Sequence, residues 1–218
     1  MRQPSGRGAT RDAPTRDEGR SLIIFARAPV AGQVKTRLAA DLGTARALDI
    51  YRWLGVRILD RLASLQSCEL RVAFTPADGE LLVRDWLGDI PAYEPQVGGD
   101  LGQRMAAAAA SRFTAGAARV CVIGTDCPAV DAAVVEEAFT ALDAADVVFG
   151  PATDGGYYLV ALARPLPELF ESVPWSAPDT LAVTLDRAKR SGARVTLLAE
   201  SRDIDTGEDW AEWQRRHS

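Results

Sequence analysis

Histidine is almost missing from this chain: of 218 residues only His217, next to last, is one. That scarcity argues against a Ser-His-Asp triad, a His-ligated zinc and a histidine general base. Cysteine is scarce as well. Cys68, Cys121 and Cys127 are odd in number and spaced for neither a zinc site nor a disulfide framework, which points to a reducing, cytoplasmic setting. No apolar run approaches the ~20 residues of a membrane span, and no charged-then-apolar signal segment opens the chain. A basic excess is missing too. With 25 Lys and Arg against 30 Asp and Glu, the formal charge is -5, so general nucleic-acid binding is an unpromising reading. Two familiar phosphate-binding signatures are also absent. There is no GxGxxG, and the one candidate for a Walker A loop has Gln33 and Val34 between its Gly32 and Lys35. Chemistry is left to carboxylates, cations, hydroxyls and a metal.

What is present suffices for one well-filled domain. Apolar residues make up 47% of the chain, enough to bury a full core. Residues 1–20 are the exception. Arg2, Arg7, Arg11, Arg16 and Arg20 stand there among Gly, Pro, Ser and Thr with little to bury, so a disordered tail is expected, followed by a single domain over 21–218. From residue 21 the pattern alternates. Apolar runs at 21–25, 69–75, 119–124, 146–149, 157–163 and 194–198 read as strands. Helical patterns lie at 44–66, 101–113, 132–142, 178–190 and from 208 onward, with Asp78 placed to cap a short helix reaching Leu87 and Asp131 to cap the one from Ala132. Gly55 is the one blemish in the 44–66 pattern. Strands alternating with helices of this length imply an α/β fold with a Rossmann-like, doubly wound, mostly parallel sheet. The strand from Tyr157 is the expected antiparallel member, because its connection is too short for a helical crossover.

Four motifs carry chemistry. The first is Phe25-Ala26-Arg27-Ala28-Pro29-Val30-Ala31-Gly32-Gln33-Val34-Lys35-Thr36-Arg37-Leu38, a basic loop leaving the carboxyl end of the first strand. Ligands bind at that edge in open α/β sheets. Three cations, with Gly32 allowing close backbone approach, suit a phosphate; a plain solvated basic loop is the competing reading. The second is Gly124-Thr125-Asp126-Cys127-Pro128, whose Asp126 could reach a divalent cation on a diphosphate or merely cap a turn. Third comes Asp203-Ile204-Asp205-Thr206-Gly207-Glu208-Asp209. Thr206 and Asp209 read as a capping box, which needs neither Asp203 nor Asp205. Fourth is Thr153-Asp154-Gly155-Gly156, either a hairpin turn or a site of close ligand approach.

In order along the chain, FARAPVAGQVKTRL, GGDLGQRM (98–105), VIGTDCPAV, GPATDGGYYLVAL, the Trp175–Pro178 turn and DIDTGEDW resemble the bacterial family A-fold glycosyltransferases of the nucleotide-diphospho-sugar transferase superfamily. Some members are linked to arsenosugar biosynthesis. The likeness spans roughly residues 22–210. The chain is similar, more distantly, to the guanylyltransferase of deazaflavin cofactor synthesis, through its Lys-Thr-Arg-Leu loop and late Asp-Thr-x-x-Asp element. The resemblance implies a nucleotide-sugar or nucleoside phosphate substrate, a small-molecule acceptor, and Mg²⁺ or Mn²⁺. It places Arg27, Gly32, Lys35, Thr36 and Arg37 on the donor phosphates, with Lys35 also catalytic, and Gly102 and Arg104 in the nucleotide pocket. Asp126 and Asp205 would hold the metal. Asp154, Gly155, Gly156 and Trp175 would face the sugar or acceptor, with Asp154 the base that deprotonates an acceptor hydroxyl.

Two departures keep the reaction open. Thr125-Asp126-Cys127 supplies one carboxylate where many such glycosyltransferases have a DxD, and the GGxGxRM opening of many sugar nucleotidyltransferases is missing. Glycosyl transfer from a nucleotide sugar is the first expectation; nucleotidyl transfer to a phosphorylated acceptor is the alternative. A lapsed enzyme that binds nucleotide as a regulator, and a nucleic-acid partner acting through the arginine-rich tail, are the readings from other classes.

Overall fold

The computed structural model describes residues 19–66, 68–90 and 92–217. The expected tail falls almost wholly on residues 1–18, outside the described residues, and Arg20 already belongs to the first strand. That strand, β1 (Arg20–Arg27), runs through the middle of a seven-stranded sheet. Its Leu22, Ile23 and Ile24 are fully buried because both faces of the strand are covered. Each such side chain is worth about 1.5–3 kcal/mol of transfer free energy. On one side β1 pairs in parallel with β2 (Cys68–Thr75), which pairs in parallel with the short edge strand β3 (Tyr93–Pro95). On the other it pairs in parallel with β4 (Arg119–Ile123).

Beyond β4 the direction reverses once. β6 (Tyr157–Leu162) lies antiparallel between β4 and β5 (Val147–Pro151), joined to β5 by the 152–156 turn. β7 (Val195–Leu197) closes the far edge parallel to β5. The fold is therefore the doubly wound, mostly parallel α/β sheet that the alternation predicts, with the Tyr157 strand as its antiparallel member. β3 is not predicted by periodicity; three residues ending in Pro95 leave no alternation to read, and proline is tolerated there because the strand is an edge.

Helices cover both faces. The side chains of Leu22 and Ile24 pack with α2 (Thr44–Leu62), α3 (Glu80–Leu87) and α5 (Ala132–Ala141), whereas Ile23 packs with the layer holding α4 (Leu101–Thr114) and α6 (Thr180–Arg190). Gly55 has a packing reason. A Cβ there would lie 2.2 Å from Trp86 Cζ2, so the indole seats directly on the helix backbone, and Trp86 Nε1 donates to Arg52 O at 2.8 Å.

Two local expectations need correction. Asp78 caps nothing: it lies in a 3₁₀ turn, Ala77–Gly79, and α3 starts from Gly79 with no side-chain cap. The second half of the basic loop is not loop either. Thr36–Leu42 form a helix, α1, anchored by the fully buried Leu38 and stopped at Gly43. A last helix, α7 (Gly207–Arg216), packs through Trp210 and Trp213 with Leu38, Ile50 and Ile204. Its capping box is formed as expected, with Thr206 Oγ1 accepting from Asp209 N and Asp209 Oδ2 accepting from Thr206 N. Among the described residues no helix is long and apolar enough to cross a membrane.

Candidate functional site

A parallel sheet gathers the carboxyl ends of its strands on one edge, and here that edge opens into a pocket of about 600 Å³. β1 sends Arg27 and then Lys35, Thr36 and Arg37 into its wall. β4 sends Asp126; the segment after β7 sends Asp203 and Asp205; the β5–β6 turn sends Asp154 and Gly156. The segments are stitched by backbone bonds, since Ile204 N donates to Asp126 O at 3.0 Å and Thr153 N to Ser201 O at 3.0 Å.

Lys35 is the centre. Its Nζ lies 2.8 Å from Asp126 Oδ1 and 2.8 Å from Asp205 Oδ1, and its side chain is only 4% exposed. Burial is the largest single influence on this amine and favours the neutral form, but the two carboxylates together outweigh it. The ammonium is held charged, with a pKa above the usual lysine value. The backbone of Lys35 is left-handed, φ 48° and ψ 50°, just before α1. A non-glycine residue there costs of order 1–3 kcal/mol, a strain that surrounding contacts must sustain.

Two carboxylate oxygens thus converge on one cationic centre. This is the donor set that magnesium uses when substrate phosphates and water supply its other ligands. Among the described residues, no group of three or more His, Cys, Asp and Glu side chains is placed to hold a metal unaided. A third oxygen is nevertheless close by. Asp203 Oδ1 is shut off from solvent and has no hydrogen-bond partner. Burial and then the charge of Asp126 push its carboxyl up to about 8, against the pull of Lys35. An orphaned carboxyl oxygen beside two paired ones fits a cation-binding corner.

Cations without carboxylate partners face the same space. Arg27 and Arg37 are exposed on the pocket wall, and among the described residues neither has an ion pair. Arg104, on α4, is fixed instead by neutral oxygens, donating from Nη1 to Gln96 Oε1 at 3.0 Å and from Nε to Asp100 O at 3.2 Å. Gln96 in turn donates to Ala73 O at 2.9 Å, tying Arg104 to the end of β2. Asp154 Oδ1 accepts from Gly156 N at 2.9 Å, which fixes one carboxylate oxygen at the wall.

The predicted residues sort into two groups. Arg27, Lys35, Thr36, Arg37, Arg104, Asp126, Asp154, Gly156, Trp175 and Asp205 line one pocket. Gly32, Gly102 and Gly155 are not on its lining and act behind it. Gly32 is exposed in the Val30–Gln33 turn, where Gln33 N donates to Val30 O and φ is +76°. Gly102 makes room for a neighbour, because a Cβ would lie 2.4 Å from Trp175 Cζ2. Gly155 packs against the Trp175–Pro178 turn. Asp131 is the N-cap of α5, accepting from Val134 N at 3.0 Å, and is no part of the site.

Sequence reasoning misses Asp203, Gln96 and Tyr51 as site residues. Tyr51 reads only as a helical core position. In fact its phenol oxygen accepts from Arg27 N at 2.9 Å and donates to Arg27 O at 3.0 Å, which pins the start of the basic segment. Burial and the nearby Asp126 charge push its pKa up to about 12. Tyr51→Phe leaves both Arg27 backbone groups unpaired, so unfolding free energy should fall by about 1–3 kcal/mol in a denaturant titration. A loss under about 0.5 kcal/mol would show that water replaces the phenol.

A seven-stranded, mostly parallel sheet with one inserted antiparallel strand and a charged pocket at its carboxyl edge is the nucleotide-diphospho-sugar transferase type of fold. Residues 58–177 match the family described as "Uncharacterized protein conserved in bacteria (DUF2064)", and the chain belongs to it. A solved protein from Desulfovibrio desulfuricans G20, provisionally described as a nucleotide-diphospho-sugar transferase, is 31% identical, with a TM-score of 0.87 over 92% of this chain and 88% of that one. Two further structures share the fold. The 4-diphosphocytidyl-2C-methyl-D-erythritol synthase of Anaerococcus prevotii DSM 20548 is 11% identical, with a TM-score of 0.60 over 92% of this chain and 99% of that one. Rv0371c of Mycobacterium tuberculosis H37Rv, solved in complex with manganese, is 17% identical, with a TM-score of 0.51 over 89% and 97%. No curated protein matches the chain.

Proposed function

We propose that this protein is a metal-assisted glycosyltransferase that takes a nucleotide-sugar donor and a small-molecule acceptor. One observation carries the reading: Arg27 and Arg37, which have no ion pair among the described residues, share a pocket with a carboxylate pair gathered on one buried ammonium. The arginines suit the oxygens of a diphosphate, and the carboxylates suit the cation that such a diphosphate brings. The likeness to the Desulfovibrio protein supports the donor class, and the manganese complex of a fold relative supports the metal.

In this mechanism Arg27, Arg37 and Lys35 bind the donor diphosphate and stabilise the negative charge that builds on it as it leaves. Asp126 and Asp205, with Asp203 beside them, would hold Mg²⁺ or Mn²⁺, which adds Lewis-acid neutralisation of the leaving group. Arg104, braced by Gln96, lines the nucleotide end of the pocket. Trp175, lying edge-on to Tyr157 with ring centroids 6.3 Å apart, gives the acceptor end an apolar wall. Asp154 accepts the proton of the acceptor hydroxyl through the oxygen that Gly156 does not engage.

A thermal-shift screen of nucleoside diphosphates, triphosphates and nucleotide sugars, with and without Mn²⁺, tests this reading. A donor at a hundredfold its dissociation constant should stabilise by about 2.7 kcal/mol, or roughly 5–10 °C for a domain of this size, with metal enlarging the shift. Arg37→Ala should remove about 1.5–3 kcal/mol of donor binding, and Arg37→Lys should recover only part. If triphosphates alone stabilise the protein, nucleotidyl transfer replaces glycosyl transfer. If no nucleotide does, the reading fails.

A further inference from the structure

We propose that Lys35 and the divalent cation are alternative occupants of one cradle, so that a diphosphate must draw the ammonium away before metal can settle between Asp126 and Asp205. The inference deepens the donor reading above and rests on it. Each carboxylate a metal would use already gives one oxygen to the ammonium: Asp126 Oδ1 and Asp205 Oδ1 both lie 2.8 Å from Lys35 Nζ. Magnesium would sit about 2.0–2.1 Å from the same oxygens. A divalent ion and the ammonium would then stand only a few ångströms apart in a corner where the lysine side chain is 4% exposed. Charges that close repel, and the ammonium and the ion would compete for the same carboxylate oxygens. The more weakly held cation gives way.

The pocket supplies a destination for Lys35. Arg27 and Arg37 line the same wall with no carboxylate of their own among the described residues, so a diphosphate held by them lies within the space that Lys35 faces. A four-carbon stem with three rotatable donors can exchange carboxylate oxygens for phosphate oxygens while its backbone stays in place. Lys35 therefore couples two binding events: the anion opens the cation site, and by linkage the cation tightens the anion by the same factor.

The test uses Mn²⁺, followed by the loss of its free electron-resonance signal, with inorganic pyrophosphate as a probe that carries no base or sugar. Folding of each variant is checked by its melting point. Wild type should take Mn²⁺ weakly alone and at least about tenfold more tightly with pyrophosphate, after correction for the soluble Mn²⁺–pyrophosphate complex, a coupling within the usual allosteric range. K35M should bind Mn²⁺ alone at least tenfold more tightly than wild type, gain little from pyrophosphate, and show the larger rise in melting point with Mn²⁺ alone. K35R, which keeps a cation on the carboxylates, should still take Mn²⁺ alone weakly. If K35M binds Mn²⁺ no better than wild type while wild type still responds to pyrophosphate, the exchange is refuted and the donor reading stands. If K35M does not fold, wild type decides, and the absence of any pyrophosphate-dependent gain overturns the exchange. Failure of pyrophosphate and every nucleotide to shift the melting point would instead remove the donor reading itself, and the exchange with it.

Discussion

Asp126→Asn should lower metal-dependent donor binding and turnover by more than about a hundredfold while the protein stays folded. A hard cation is held by anionic charge, and even groups one shell further out are worth 10–100-fold in metal affinity. Asparagine keeps the size of the side chain and removes the charge. The Asp126 side chain is 43% exposed, and its backbone oxygen, which accepts from Ile204 N, is untouched. Lys35 retains Asp205 as a partner. The melting point should therefore stay within a few degrees of wild type. Asp131→Asn is the control, since asparagine caps a helix about as well as aspartate, and it should bind donor normally. Full metal-dependent activity in Asp126→Asn would return this residue to a role in the turn. The same result with Asp205→Asn would leave the metal assignment without support.

Gly155→Ala should be the most destabilising small substitution at the site. Gly155 has φ +89°, which an L side chain rarely adopts, and its Cβ would lie 1.9 Å from Pro178 O and 2.5 Å from Pro178 C. Those atoms are backbone and cannot rotate aside. Left-handed strain of about 1–3 kcal/mol and overpacking of about 1–3 kcal/mol combine to roughly 2–6 kcal/mol, or a melting point lower by about 4–24 °C. The damage should spread to the pocket wall at Trp175. Leu181 N donates to Gly155 O at 2.9 Å, so displacing this turn also shifts the start of α6 and the Trp175 segment before it. A melting point within two degrees of wild type would mean that the two turns separate at little cost.

Most of the architecture is written in local patterns that survive without tertiary information. The apolar runs at β1 and β4 are continuous because both sheet faces are covered, and the 152–156 connection is too short to permit anything but a reversal. The pocket's main charges are legible for a related reason: Arg27, Lys35, Asp126, Asp154 and Asp205 follow strand ends or a strand-to-strand turn, and a parallel sheet brings strand ends together. What is not legible depends on distance in sequence. Nothing near Lys35 announces that its ammonium turns onto two carboxylates, because those residues arrive from other segments. Tyr51 follows the same helical rhythm as Leu54 and Ile58, and only the structure shows a phenol bonded to the Arg27 backbone. Asp203 stands two residues before Asp205 with no local feature to choose it, and only the structure shows its Oδ1 shut off from solvent without a partner. α1 escapes notice because its seven residues carry a single fully buried anchor, Leu38.

The contact between Lys35 and Asp205 joins residues 170 positions apart. Domains begin to fold while synthesis is still under way, from the amino-terminal side. A nascent chain can therefore close β1, β2 and β4 around a core while the strand-end carboxylate at 205 has yet to be made. Until it emerges, Lys35 has at most one of its two carboxylates. The corner proposed to hold the diphosphate is thus withheld until the last part of the chain has emerged, and a truncation before residue 205 would remove one of the two carboxylates on Lys35.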